Sequence, residues 1–106
     1  MKSLKEKKHK LESLITHQKD TISSNTLINK KTGTITVFAF DKEQTISPHK
    51  APFDAFVYVI KGKVNIKIGN KNHILEKGDF IIMPAEIEHS LKALTKLKIL
   101  LVMIKN

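Results

Sequence analysis

Two glycine-punctuated stretches of alternating β residues, each carrying one histidine, constrain this chain more than anything else in it. The first runs from His49 as H-K-A-P-F-D-A-F-V-Y-V-I-K-G and the second from Gly78 as G-D-F-I-I-M-P-A-E-I-E-H, with fifteen residues between them. Between the two, Val64, Ile66 and Ile68 alternate with Asn65 and Lys67, the period-two pattern of a strand with one buried face. Ala55 to Ile60, Lys63 to Ile68, His73 to Glu76, Phe80 to Met83, His89 to Leu94 and Leu97 to Ile104 all read as strands. They are parted by Lys61-Gly62, Gly69 to Asn72, Lys77-Gly78-Asp79 and Pro84. Upstream, Thr26 to Asn29 and Thr34 to Phe40 are β-branched and aromatic segments joined by Lys31-Thr32-Gly33, while the polar stretch Asp41 to Lys50, with Pro48, reads as a loop. Short strands recurring every ~8–12 residues predict an all-β sandwich or barrel rather than a βαβ fold.

A chain of 106 residues holds one such domain. Residues 1–24 read as a basic tail and a short helical or irregular extension, with Leu11, Leu14 and Ile15 on one stripe, and residues 25–106 as the β domain. The chain has no cysteine, which removes disulfides, thiolate metal sites and cysteine nucleophiles. No apolar run approaches the ~20 residues of a membrane span, and Leu11 to Ile15 is too short for a signal peptide, so a cytoplasmic protein without membrane contact is the simplest expectation. The net charge of +9 comes from 19 basic and 10 acidic residues, and the basic residues are all lysine, five of them in the first ten positions. With no arginine fork, no tryptophan and one tyrosine, the surface is a poor match for nucleic acid. An interaction module working through the basic tail is the weakest reading, and no helix-turn-helix pattern accompanies it.

The last strand is apolar on both faces. Leu97, Ile99, Leu101 and Met103 share one, and Leu100, Val102 and Ile104 the other; Val37 and Ala39 against Phe38 and Phe40 repeat the pattern. One small barrel has one interior, so the second face needs a cover, and a homodimer is expected.

Taken together, the chain resembles the cupin superfamily in its small single-domain form, over roughly residues 25 to 104. The first cupin motif, G-x5-H-x-H-x3,4-E-x6-G, meets the chain at His49 and Gly62. The second, G-x5-P-x-G-x2-H-x3-N, meets it at Gly78, Pro84 and His89, with Glu86 in place of the inner glycine and Ala93 in place of the asparagine. The resemblance implies a double-stranded β-helix, or jelly-roll, barrel. It also implies a divalent transition metal (zinc, iron, manganese or nickel) held by three histidines and a glutamate. Here the second histidine falls on Ala51 and the glutamate on Ala55, leaving His49 and His89 as the metal candidates. Two imidazoles fall short of the three protein ligands such metals want. Asp54 lies on the opposite strand face from Ala55 and would need a bulge to help.

The two alanines also remove volume where the family's pocket lies. A small-molecule site with His49 and His89 at its base, Ala51 and Ala55 on its floor, and Phe53, Val57, Ile82 and Met83 as walls is one outcome; a fully packed core is the other. Function therefore divides between a non-enzymatic small-molecule-binding cupin and a metal-dependent dioxygenase, isomerase or decarboxylase whose two-histidine site is completed by water or substrate. Sugars, sugar acids and phenolic acids are all ligands of relatives. His9, His17 and His73 are expected at the surface, Asp79 in a turn, and Tyr58 with Phe56 on the outer face. No phosphate-cradling glycine loop or Ser-His-Asp order is present, so no catalytic nucleophile can be named.

Overall fold

The computed structural model describes residues 4–105; the first three residues of the expected tail, and Asn106, lie outside the described residues. Among the described residues nine strands follow a single 3₁₀ turn at Leu11–Leu14. They are β1 (Ile22–Lys30), β2 (Gly33–Phe40), β3 (Thr45–His49), β4 (Ala55–Lys61), β5 (Lys63–Ile68), β6 (Lys71–Glu76), β7 (Phe80–Met83), β8 (His89–Ala93) and β9 (Leu97–Ile104). Two antiparallel sheets face each other, a five-stranded one in the order β1-β2-β9-β4-β7 and a four-stranded one in the order β3-β8-β5-β6. The chain passes repeatedly from one sheet to the other, which is the jelly-roll arrangement. The two inner faces bury one core centred on Phe40, Val57, Val59, Val64, Ile66, Leu97 and Ile99.

Because side chains alternate along every strand, the register fixes what looks inward. In the larger sheet Met103 pairs with Thr34 on one side and Ala55 on the other, and Ala55 pairs with Met83. In the smaller sheet His89 lies between His49 and Ile68, and Leu91 between Ile46 and Ile66. The rows Thr34-Met103-Ala55-Met83 and His49-His89-Ile68 therefore belong to the inner faces of opposite sheets.

Three expectations need correction. The segment Asp41 to Lys50 is not all loop, since Thr45–His49 form β3 with Pro48 inside it. A proline is tolerated there because β3 is a sheet edge, where its missing N–H leaves no ladder bond broken. The first strand begins at Ile22, so the boundary expected between residues 24 and 25 falls within β1. His17 is not solvated: it is half-buried, and its Nε2–H donates to the Leu97 carbonyl at 3.1 Å.

That contact belongs to a strap formed by residues 11–17 across the outer face of the larger sheet. The Asn25 amide donates to Leu14 O, the Ser23 hydroxyl to Thr16 O and the Lys98 ammonium to Glu12 O, at 2.9, 2.9 and 2.7 Å. Ser23 and Lys98 are the register neighbours of Ala39, and Asn25 that of Val37. The strap thus explains why Val37 and Ala39, which point away from the barrel interior, are fully buried. No helix among the described residues is long and apolar enough to cross a membrane.

Candidate functional site

His49 reaches the interior through a bulge. Ile46 pairs with Leu91 and His49 with His89, so three steps along β3 match two along β8. Without the extra residue, alternation would turn His49 outward; with it, both imidazoles face the same space. His89, at 4 % exposure, is buried, whereas His49 is exposed at the barrel mouth. The rings meet edge to face with centroids 4.3 Å apart, and their Nε2 atoms are 3.1 Å apart.

Each ring also has its Nδ1 at a backbone carbonyl, His49 at Ser47 O (3.0 Å) and His89 at Ile87 O (3.2 Å). A carbonyl only accepts, so both Nδ1 atoms must carry hydrogen and both Nε2 lone pairs then converge. Three donor positions thus face two neutral rings that supply two protons. The convergence is relieved by one extra proton shared between the rings, or by a cation. The same 3.1 Å separation suits two ligands on one ion at metal–nitrogen distances of about 2.0–2.1 Å, and the Nδ1–H to carbonyl bonds are the outer hydrogen bonds that metal-bound histidines make. A third donor is lacking, because no group of three or more histidine, aspartate or glutamate side chains suited to a metal occurs among the described residues. Asp54 accepts a bond from Ala85 N at 2.8 Å and lines a groove on the outside of the sheet. The donor set alone does not fit a tightly held resident metal.

Burial holds the His89 imidazolium below its ordinary 6.5, the proximity of His49 adds to this, and the Ile87 carbonyl opposes both. With the folded-state value depressed, the unfolded chain takes up this proton first as pH falls. The stability contributed by neutral His89 is complete above the unfolded value and is lost as pH falls through the folded one. Urea midpoints should therefore be lower at about pH 5 than at about pH 7.5, and His89→Gln should flatten that part of the profile. An unchanged slope in the variant would assign the pH dependence to other groups.

The histidines close one end of a cavity of about 70 Å³ between the sheets. Ala51, Ala55, Val57 and Met83 line it as expected; Phe53 and Ile82 do not. Both belong instead to the outer groove, Ile82 because alternation along β7 sends it opposite to Met83, and Phe53 because it precedes β4 on the outer side. The walls that sequence reasoning passed over are Phe38, Ile46, Leu91, Ile99, Leu101 and Met103. The register shows them on the inner faces; the period-two pattern of β2, β8 and β9 was the available signal for all but Ile46, which lies in β3. His73 is likewise not at the surface: it is half-buried on the inward side of β6, near Ile66 O (3.2 Å), and outside the cavity.

The mouth is tied shut on one side by Glu86 N donating to Ala51 O at 2.8 Å. Glu86 has φ of +67°, the left-handed conformation that the motif's inner glycine adopts without strain. A non-glycine residue thus sits here in a backbone conformation that favours glycine.

Comparison with known proteins agrees with this architecture. A conserved protein of unknown function from Streptococcus pyogenes is 35% identical over 95% of this chain and 89% of its own, with a TM-score of 0.91. A cupin 2 conserved barrel domain protein from Leptotrichia buccalis is 32% identical over 90% of this chain but 46% of its own, with a TM-score of 0.86. A cupin superfamily protein from Desulfitobacterium hafniense, at 22% identity and a TM-score of 0.92, covers 99% of this chain and 97% of its own and shares the fold. Among curated proteins nothing matches. The family model described as a cupin domain matches residues 36–104, and the chain belongs to the cupin family.

Proposed function

We propose that this cupin binds a small, largely apolar acid in the cavity between its sheets, with the His49–His89 pair as the polar anchor. The observation that carries the reading is the lining: ten of its twelve residues are apolar, and the two that are not stand together with one proton too few for their hydrogen bonds. A carboxylate at that corner favours the extra proton, while the aliphatic or aromatic body meets Phe38, Leu101 and Met103. A sugar fits less well, because each hydroxyl left unpaired against such walls costs about 1–3 kcal/mol. The cavity's size restricts the buried portion to a few heavy atoms, with the remainder of a larger ligand projecting past His49.

The test is a thermal-shift and NMR titration with short aliphatic and aromatic carboxylates beside neutral sugars. Carboxylates should stabilise the wild type and shift the resonances of Leu101 and Met103, and His49→Ala/His89→Ala should abolish both effects. Equal responses to acids and sugars, or responses that survive in the variant, would remove the anchor role.

A second reading is favoured by the converging Nε2 atoms: a divalent metal held by the two rings and completed by oxygen atoms of water or substrate, as in a metal-dependent cupin enzyme. When bound, such an ion would supply Lewis-acid or oxygen-activating chemistry. Elemental analysis of untagged protein purified without chelator separates the readings. Near-stoichiometric metal that disappears in the double variant supports the enzyme, and metal absent from both after reloading leaves the rings as ligand anchors.

A further inference from the structure

Nitrogen and oxygen donors fall short of a divalent ion at the histidine pair, but the same cavity holds two sulfur atoms. In the larger sheet Ala55 lies between Met103 and Met83, and all three line the cavity together with His49 and His89. Met83 is buried and Met103 half-buried. The two thioethers therefore flank the small side chain that stands where the cupin motif has its glutamate. They rise from the sheet opposite the one that carries the imidazoles, across about 10 Å of interior that a methionine arm and a histidine arm together bridge. An unbranched methionine, with three rotatable bonds, can swing its sulfur over the alanine without moving the backbone.

Geometry and charge narrow the ion. The two Nε2 atoms are 3.1 Å apart, so an ion about 2.0 Å from each sees them about 100° apart. That is near the tetrahedral angle and far from the straight line of a two-coordinate ion, so further donors are called for, and the thioethers are at hand. No acidic side chain is among the described residues that line the cavity, so every donor there is neutral. The cost of burying an ion in apolar surroundings rises with the square of its charge, so a monovalent ion bears about a quarter of the penalty of a divalent one. Thioethers are also soft donors, which select cuprous copper over magnesium or manganese.

We propose that the cavity takes a thiophilic monovalent cation, cuprous copper, held by His49 and His89 through Nε2 and by Met83 and Met103 through sulfur. The site rests on the metal reading of the histidine pair but changes its ion and its ligands. Ala55 fits this assignment: a carboxylate there would be a hard, anionic donor favouring divalent ions, whereas alanine leaves room for the sulfur on either side. For zinc or manganese the site stays poor.

The test uses silver(I), which shares the ligand preference and does not change oxidation state, and then copper(I) kept reduced under nitrogen and competed against a chromogenic chelator. In chloride-free buffer the wild type should bind one equivalent of silver at least about 100-fold more tightly than zinc or manganese. Binding should shift the ε-methyl resonances of Met83 and Met103 in protein labelled with carbon-13 methionine. Met83→Leu combined with Met103→Leu conserves volume, so it should keep the β-sheet circular dichroism and a cooperative melt while weakening both ions by about 100-fold. His49→Ala/His89→Ala should abolish the one-equivalent binding. Methyl resonances that stay in place with one equivalent of silver bound overturn the proposal, whether or not the leucine variant folds. Silver affinity unchanged in that variant does the same. Zinc or manganese bound as tightly as silver overturns it and leaves the divalent reading standing, and a protein that binds none of these ions overturns both.

Discussion

Gly62→Ala is expected to destabilise the protein by about 3 kcal/mol or more, lowering the melting temperature by at least about 10 °C. Gly62 is the only residue between β4 in one sheet and β5 in the other, and it makes the sheet change with φ of +91°. A Cβ there would lie 2.1 Å from the Lys96 carbonyl oxygen and 2.8 Å from Thr95 Oγ1. The Lys96 carbonyl cannot step aside, because its loop is held by Lys63 N donating to Thr95 Oγ1 and Leu94 N donating to Lys63 O, each at 3.0 Å. Gly78 supplies the control. It has the same φ of +91°, but nothing lies within 4 Å of its Cβ position, so Gly78→Ala should show only the conformational cost of about 1–2 kcal/mol. Chemical denaturation of both variants checks the comparison, and equal losses would show that the contact at Lys96 is relieved by local adjustment.

Ala51→His combined with Ala55→Glu should turn a poor metal site into a good one. Both alanines line the same cavity as the two histidines, and together the substitutions raise the nearby donors from two to four. Transition-metal affinity should rise by about a thousandfold or more over the wild type, read by calorimetry and elemental analysis. The signature should be a stability that depends on metal. Without metal, the carboxyl introduced by Ala55→Glu would be buried and lack a partner, at a position where the native alanine is 3 % exposed, and the variant should melt below the wild type. With free metal at about a hundredfold its dissociation constant, binding restores about 2.7 kcal/mol. A folded variant that retains no more metal than the wild type would mean that positions 51 and 55 do not converge on the imidazoles.

The barrel was legible because its signals are local and repeated. Val64, Ile66 and Ile68 alternate cleanly, and β5, β7 and β9 run between the residues expected for them. The two histidines came from motif spacing, and the structure places them in contact. What escaped depends on register or on distant chain. β3 was hidden by Pro48, whose tolerance depends on its lying at an edge, a property of the assembled sheet. Ile82 looked like a pocket wall until strand parity sent it outside, Phe53 until the bend ahead of β4 did, and Phe38, Leu101 and Met103 took that role from strands distant in sequence. His17 was misplaced for a different reason: its partner, the Leu97 carbonyl, is eighty residues away and no side-chain pattern announces it.

The strap is fastened to the sheet through main-chain oxygens of Glu12, Leu14 and Thr16. Any amino acid provides such an oxygen, so apart from His17, whose ring holds the Leu97 carbonyl, and Glu12, whose carboxylate pairs with Lys61, the segment's hold on the sheet depends on its path and length more than on its side chains. A sequence profile has little there to grip, and the cupin family match starts only at residue 36. Shape is a better guide to that region, since the Streptococcus pyogenes protein superimposes over 95% of the chain. Deleting residues from the strap should therefore harm this protein more than rewriting them.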